Sequence, residues 1–325
     1  MSRTYSTQAI VLRRRNLAET DKIVVLFTRE LGKLSAVAKG ARRPQSRIAG
    51  ATEPPTFLRA LMAVGRDLDV VTQCETKESF LELRADLDRL VYCSYLLEMT
   101  DTLLEERLPH PDLFDLLLSA LYLLNGGADG LALSAAFSLQ AAEDAGFGPM
   151  LDSCVGCHEP VGSGVAGYSV RMGGVLCRAC RGASRDVIRF PASARNMAVQ
   201  LLDHDLPTIA RLMWPRRDAL GLTRVLRRHI EHRTEKKLKS AEFLEGMRLR
   251  DTETDSPAGA DSEEVPGLPS GRGTPRGTKT DLVDPDREGM TLRDATTDSR
   301  SDLDQEEMPG PTSGRETPPE TPLTR

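Results

Sequence analysis

Apolar residues alternate with polar ones in short runs over the first 80 residues of this 325-residue chain, and then recur at helical spacing. Ile10 and Leu12 share one face of Gln8–Leu12, Ile23–Phe27 is a continuous apolar run, and Leu34, Ala36 and Ala38 alternate with Lys33, Ser35 and Val37. Turn-forming residues separate these runs. Asn16–Asp21 joins the first pair, Glu30-Leu31-Gly32 makes a tight connection, Gly40–Pro55 reads as a long polar loop, and Gly65-Arg66-Asp67 links Phe57–Val64 to Leu68–Gln73. Five short strands with one long connection predict a Greek-key barrel of the OB type over residues 1–78.

The period changes near Lys77. Leu90, Tyr92, Leu96, Leu97, Leu103 and Leu104 mark one helix. Phe114, Leu117, Leu118, Leu121 and Leu124 mark another, opened by Pro111-Asp112 and closed by Gly126-Gly127. A third runs from Ala128 to Ala145. Residues 79–149 therefore read as a helical domain. Residues 186–249 add helices that pack on it: one opened by Pro191, and a long one from about Arg216 to Arg248 with Leu222, Val225, Leu226 and Ile230 on one face and a basic opposite face. The fold class is multidomain α+β.

Between the helical segments lie Cys154, Cys157, Cys177 and Cys180, two C-x-x-C pairs separated by 19 residues in a Gly-rich stretch. That spacing predicts a closed tetrahedral zinc site over residues 150–185, with one structural ion and no position left for water or substrate. The competing readings are two disulfides in a secreted protein, or unconnected buried cysteines. His158 follows Cys157 and competes as a ligand, but the C-x-x-C geometry favours four sulfurs. Cys74 and Cys93 lie in apolar stretches and read as small buried hydrophobes.

Composition divides the chain differently. Residues 251–325 hold 18 Asp/Glu against 8 Lys/Arg, 10 of the 20 prolines and no aromatic residue, so residues 250–325 read as a disordered acidic tail. The net charge of −5 thereby conceals a basic first 250 residues at +5. The N-terminus has no apolar leader, and no run approaches the roughly 18 apolar residues of a membrane span, which predicts a cytoplasmic protein without membrane contact.

Catalytic signatures are missing from the sequence: no phosphate-binding loop, no G-x-G-x-x-G after a strand, no H-E-x-x-H and no G-x-S-x-G. His110, His204, His229 and His232 read as solvated or core histidines, and the pairs Asp67/Asp69 and Glu105/Glu106 as solvated charges. A non-enzymatic binding protein without a small-molecule substrate is expected; an unrecognised nuclease is the remote rival. Residues 1–50 carry 11 Lys/Arg against 3 acids. Such one-sided charge suits a polyphosphate strand, because each phosphate neutralised releases counterions. The candidate contacts are Arg13, Arg14, Arg15, Lys22, Lys33, Lys39, Arg42, Arg43 and Arg47. Residues 211–250 carry 12 Lys/Arg against 5 acids and add Arg227, Arg228 and Lys236, for which a solvated face or an acidic partner segment competes with DNA. Of the barrel aromatics Tyr5, Phe27 and Phe57, the two phenylalanines read as core, so binding should rest on phosphate contacts.

Several strings together resemble the RecO family of recombination mediators: Ala9-Ile10-Val11-Leu12-Arg13, Glu19-Thr20-Asp21-Lys22-Ile23-Val24, Phe27 to Lys33, Ala38-Lys39-Gly40-Ala41-Arg42-Arg43 with Ser46, and Leu238-Lys239-Ser240 to Phe243-Leu244. The resemblance spans roughly residues 5–246. It implies DNA repair and recombination by binding single- and double-stranded DNA, annealing complementary strands, and helping RecA displace single-strand DNA-binding protein with RecR as partner. It also implies that Arg13, Lys22, Lys33, Lys39, Arg42 and Arg43 form the basic barrel surface, and that the four cysteines ligate zinc. A zinc-stabilised OB-fold RNA-binding protein is the alternative.

Overall fold

The computed structural model describes residues 3–17, 19–43, 45–241 and Leu244. The described residues all belong to one compact unit. The expected acidic tail, residues 250–325, lies outside the described residues.

Five strands, β1 (Thr4–Asn16), β2 (Lys22–Thr28), β3 (Gly32–Ala38), β4 (Phe57–Ala63) and β5 (Asp69–Glu78), close into a barrel in the order β1-β2-β3-β5-β4. Neighbours are antiparallel except β3 and β5. Ala9, Val11, Val24, Leu26, Leu34, Ala36, Ala38, Leu58, Ala60 and Met62 fill the interior. The alanines keep it narrow enough for side chains alone to fill. β2 is buried throughout, and apolar from Ile23 to Phe27, because both of its faces are covered. Val24 and Leu26 point into the barrel, while Val25 and Phe27 join Ile10 and Leu12 under the helices. The Phe27 and Phe57 rings meet Phe114 edge to face at 5.4 and 6.2 Å, so both are core residues and not stacking platforms. The segment Gly40–Pro55 departs from the expected continuous loop. The Ser46 hydroxyl accepts the Ile48 amide and caps a short helix, α1 (Arg47–Ala51), a capping signal that the surrounding polar residues mask.

The helical part begins with α2 (Leu81–Ala85), α3 (Leu87–Leu103), α4 (Pro111–Asn125) and α5 (Gly130–Asp144). α5 is buried on almost every side, and it begins at a glycine because a Cβ at Gly130 would lie 2.2 Å from the Tyr92 ring. A three-stranded sheet follows, β6 (Val165–Ser169), β7 (Gly174–Cys177) and β8 (Val187–Ile188) in the order β7-β6-β8, with α6 (Arg178–Arg181) between the last two. The chain then forms α7 (Ala192–Asp203), α8 (Leu206–Ile209) and α9 (Arg216–Thr234). One continuous apolar core links the outer face of the barrel, these helices and the inner face of the small sheet. Among the described residues no helix is long and apolar enough to cross a membrane.

The long terminal helix expected to reach Arg248 stops at Thr234, because Glu235 takes a left-handed conformation with φ 56°. The chain turns to bury Leu238, and the Glu98 carboxylate on α3 accepts the backbone N–H groups of Lys239 and Ser240 at 3.0 and 2.7 Å. Lys236 thus leaves the helix on which it was expected and sits, exposed, in the turn.

His229 on α9 is fully buried. Its Nε2 lies 2.6 Å from the Phe147 carbonyl oxygen and its Nδ1 2.8 Å from the Tyr168 hydroxyl. A carbonyl only accepts, so Nε2 carries the proton and Nδ1 accepts from Tyr168. Burial pushes the imidazole pKa down. Only the unfolded chain then gains a proton as pH falls through about 6.5, so stability drops below that pH. His229→Gln is expected to cost about 1–3 kcal/mol at pH 7.5. It should also flatten the fall in melting temperature between pH 7 and 5, relative to the unsubstituted protein, when followed by circular dichroism. An unchanged pH profile would argue against a neutral buried imidazole.

Candidate nucleic-acid interface and candidate metal centre

The four cysteines converge as their spacing requires. Their Sγ atoms all lie within 4.8 Å of one another, with Cys157 and Cys177 at 3.9 Å. Four sulfurs about 2.3 Å from one ion stand about 3.8 Å apart, so the cluster could hold a metal ion with protein ligands alone. Cys154 and Cys157 sit on a knuckle closed by hydrogen bonds from the His158 amide to Cys154 O at 2.8 Å and from the Cys154 amide to Glu159 O at 2.9 Å. Cys177 ends β7 and Cys180 lies on α6. Gly156 gives the knuckle room, since a Cβ there would stand 3.0 Å from Cys180 Cβ and press that ligand outward by a few tenths of an ångström. The Gly156 and Cys177 amides both point at Cys154 Sγ from 3.4 Å. Burial alone would raise the Cys154 thiol pKa, but these backbone donors outweigh it and bring it to about 6, favouring the thiolate a metal needs. Among the described residues His158 is not part of the cluster. Cys93 is buried as expected, whereas Cys74 is only half-buried.

The basic residues of the barrel divide into two groups. Two carboxylates engage four of them. Glu53 accepts from Lys22 Nζ at 2.6 Å and from Arg14 Nε at 2.5 Å. Asp101 on α3 accepts from Arg13 Nε at 2.6 Å and lies 3.1 Å from Lys33 Nζ, which also donates to the Asp101 carbonyl at 2.6 Å. Arg13 and Arg14 remain partly exposed, but the Lys22 and Lys33 side chains are each only 9% exposed. The placement of these two lysines on an outer surface is therefore corrected: their charge is used inside, one bracing the α1–β4 loop and the other joining the barrel to α3. Asp69, read from sequence as a solvated charge, is 2% exposed and accepts from Tyr5 Oη at 2.6 Å, Arg107 at 3.0 Å and the Gly65 amide at 3.2 Å. Tyr5 is thereby committed to Asp69.

The second group is exposed at one end of the barrel. Arg15 pairs across β2 with Ile23, which pairs with Val37 on β3, so two strand spacings, about 10 Å, separate Arg15 from the strand that leads into Lys39. The next turn folds back against the β1–β2 connection. The Arg42 amide donates to the Thr20 carbonyl at 2.9 Å, and the Gly40 amide to Asp21 Oδ1 at 2.9 Å. Gly40 has φ +69°, and the Arg43 side chain lies across it with Cδ 3.7 Å from the Cβ position. The Gly40 amide and the Thr20 hydroxyl hold Asp21 below the usual carboxylate range, with help from Lys39 and Arg43. Lys39, Arg42 and Arg43 are exposed, and Lys39, Gly40, Arg43, Gln45 and Ser46 line an open hollow beside them. Arg47 opens α1; its side chain is outside the described set.

The terminal basic residues form a separate surface. Arg228 is exposed on α9, while Arg227 pairs with Glu231 at 3.2 Å. This helix packs against α5 and α7. Sequence reasoning overlooked five arginines of the small sheet, Arg171, Arg178, Arg181, Arg185 and Arg189, although residues 171–189 contain one acid, Asp186. Attention to cysteine spacing in that segment left its charge unread.

The described residues make a protein of mixed α+β class, a β-barrel joined through one core to a helical body with a four-cysteine cluster, and comparison with known proteins identifies its family. A family model described as Recombination protein O N terminal matches residues 1–80, and one described as Recombination protein O C terminal matches residues 84–242. DNA repair protein RecO of Symbiobacterium thermophilum is 40% identical over 247 residues, 75% of this chain and 98% of the relative. RecO of Pelotomaculum thermopropionicum is 36% identical over 261 residues, 80% of this chain and 99% of the relative. The same protein of Desulforamulus reducens is 33% identical over 243 residues, 75% and 94%. The chain belongs to the RecO family of DNA repair proteins.

Proposed function

We propose that this protein is a non-enzymatic, DNA-binding recombination mediator. It anneals complementary strands and helps RecA load onto DNA coated by single-strand DNA-binding protein, with RecR as partner. In this reading residues 1–78 grip the strand, residues 79–149 and 186–249 form the helical body, and residues 150–185 are braced by one zinc ion held by Cys154, Cys157, Cys177 and Cys180. The observation that carries it is the exposed cluster of Arg15, Lys39, Arg42 and Arg43 at one barrel end. Phe27 is buried and Phe57 half-buried against α4, and Tyr5 is tied to Asp69, so charge, not stacking, supplies the affinity.

Arg42→Glu with Arg43→Glu is expected to weaken single-stranded DNA binding by about ten- to a hundredfold near 0.1 M salt. It should also make the log–log salt slope shallower by about 1.4, two phosphates at ~0.7 each. The melting temperature should hold, because these side chains stand outside the core. Unchanged affinity would remove the barrel end as the binding site. Tighter binding of RNA than of DNA of equal length would favour an RNA-binding role. An annealing assay on DNA coated by its single-strand binding protein tests mediator activity, and product formation with Mg²⁺ alone would reveal a nuclease.

A further inference from the structure

We propose that the outer face of the small sheet is a second DNA-binding surface, one that takes the backbone of duplex DNA through Arg171, Arg185 and Arg189 with Arg181 beside them. The proposal rests on the reading of this protein as a DNA binder, and assigns that role to a face far in sequence from the barrel.

The ladder sets the geometry. Tyr168 pairs with Ile188 and Ser169 with Val187, which puts Arg189 level with Gly167 at the free edge of the sheet. Neighbouring residues of a strand alternate between faces, so Val187 lies on the face opposite the buried Tyr168. Arg185 and Arg189, just outside the two-residue strand β8, flank it and are exposed. Arg181 joins them: at Gly167, a Cβ would meet Val187 Cγ1 at 2.4 Å and Arg181 Cγ at 3.8 Å. Arg171 is held at the other end of the same edge, its amide donating to Asp186 at 2.8 Å. All four arginines are exposed. At extended spacing Arg185 and Arg189 stand at most about 13 Å apart, far enough to meet separate phosphates of one duplex strand.

Local negative charge is already engaged. The Asp186 carboxylate accepts from the hydroxyls of Ser169 and Ser184 as well as the Arg171 amide. Among the described residues no carboxylate pairs with Arg171, Arg178, Arg181, Arg185 or Arg189, whereas Arg195 nearby is paired with Asp152. A divalent ion held by four thiolates would carry a charge of about −2, and Arg178 and Arg181 on α6 can offset it. Among the described residues that leaves Arg171, Arg185 and Arg189 exposed and without a carboxylate partner. Cationic side chains of this kind suit phosphate, since guanidinium forks match its geometry. The sheet's aromatic residues Tyr168 and Phe190 are both buried. Without a stacking platform the face favours duplex backbone over unpaired bases.

The test uses the full chain with Arg171, Arg185 and Arg189 all changed to Gln. Zinc content and melting temperature are measured alongside binding of a labelled duplex and a labelled single strand across a salt series. Duplex affinity near 0.1 M salt is expected to fall at least about tenfold. The duplex salt slope should become shallower by about 2 to 3, at ~0.9 per phosphate, while single-strand binding changes less than about threefold. Changing the same three residues to Lys should restore most of the slope. If the triple variant loses metal, Arg189→Gln alone should still lower the slope by about 1. Duplex binding and slope equal to those of the unsubstituted protein would overturn the proposal, as would an effect confined to single strands or to RNA. Running Arg42→Glu/Arg43→Glu in parallel separates the two readings. If only that variant loses binding, the sheet proposal fails; if only the sheet variant does, the barrel assignment fails and this one stands.

Discussion

Cys177→Ser is expected to abolish the zinc binding proposed for the four cysteines and to unfold the module around residues 150–185, the largest single effect we foresee. Metal binding by four thiolates has apparent free energies of about 10–16 kcal/mol in small zinc domains, comparable to the whole stability of an ordinary domain. The module has little else to order it: the first knuckle rests on a few backbone hydrogen bonds, and β8 has only two residues. Yet it is not isolated. Tyr168, Val175 and Leu176 belong to the same apolar core as α7 and α9, and Tyr168 donates to His229. Loss of metal should therefore also loosen the end of α9, while the barrel interior, a separate cluster built on Val24, Leu26 and Leu34, stays protected. Elemental analysis and amide hydrogen exchange after anaerobic purification measure both effects. Full protection over residues 150–185 in the metal-free variant would show that the apolar core suffices.

Glu53→Ala should lower stability by about 3–5 kcal/mol, the range for stranding a buried charge. Lys22 is almost wholly enclosed, and Glu53 is the carboxylate that meets its ammonium group, at 2.6 Å. The substitution leaves that charge without its counter-ion. Glu53→Gln, which keeps an oxygen acceptor, should cost less. The pH dependence has a definite sign. Burial would raise the Glu53 pKa, but the bonds and charges of Lys22 and Arg14 outweigh it and hold the carboxyl below its ordinary value of about 4.5. This contribution is complete above that ordinary value and is lost as pH falls through the lower, folded-state value. The stability gap between the unsubstituted protein and Glu53→Ala should therefore narrow as pH drops below about 4.5. Urea unfolding across that range measures it, and a gap that widens in acid would show that the carboxylate does not stabilise the fold.

Much of the molecule was legible from the chain. Strand alternation in Lys33–Ala38 and the apolar run Ile23–Phe27 identified barrel strands, because a strand's side chains alternate strictly between faces. The spacing of Cys154, Cys157, Cys177 and Cys180 announced their convergence, since each C-x-x-C turn can aim two sulfurs at one point. The misreadings have a common origin. Lys22, Lys33 and Asp69 looked like surface charges, and each is buried against partners far away in sequence: Glu53 is 31 residues from Lys22, the Asp101 carbonyl 68 from Lys33, and Tyr5 64 from Asp69. Glu235 looked like a continuing helix residue, and only the docking of Leu238 and the grip of Glu98 on the next turn account for the break.

Local periodicity and cysteine spacing were enough to announce the barrel strands, the helices and a four-sulfur cluster, because each of those signals lies in residues close together along the chain. Which positive charges face outward was decided only by the tertiary structure. Whether a lysine meets water or an internal carboxylate depends on which distant segment folds over it, and that contact exists only once the barrel has closed against α3.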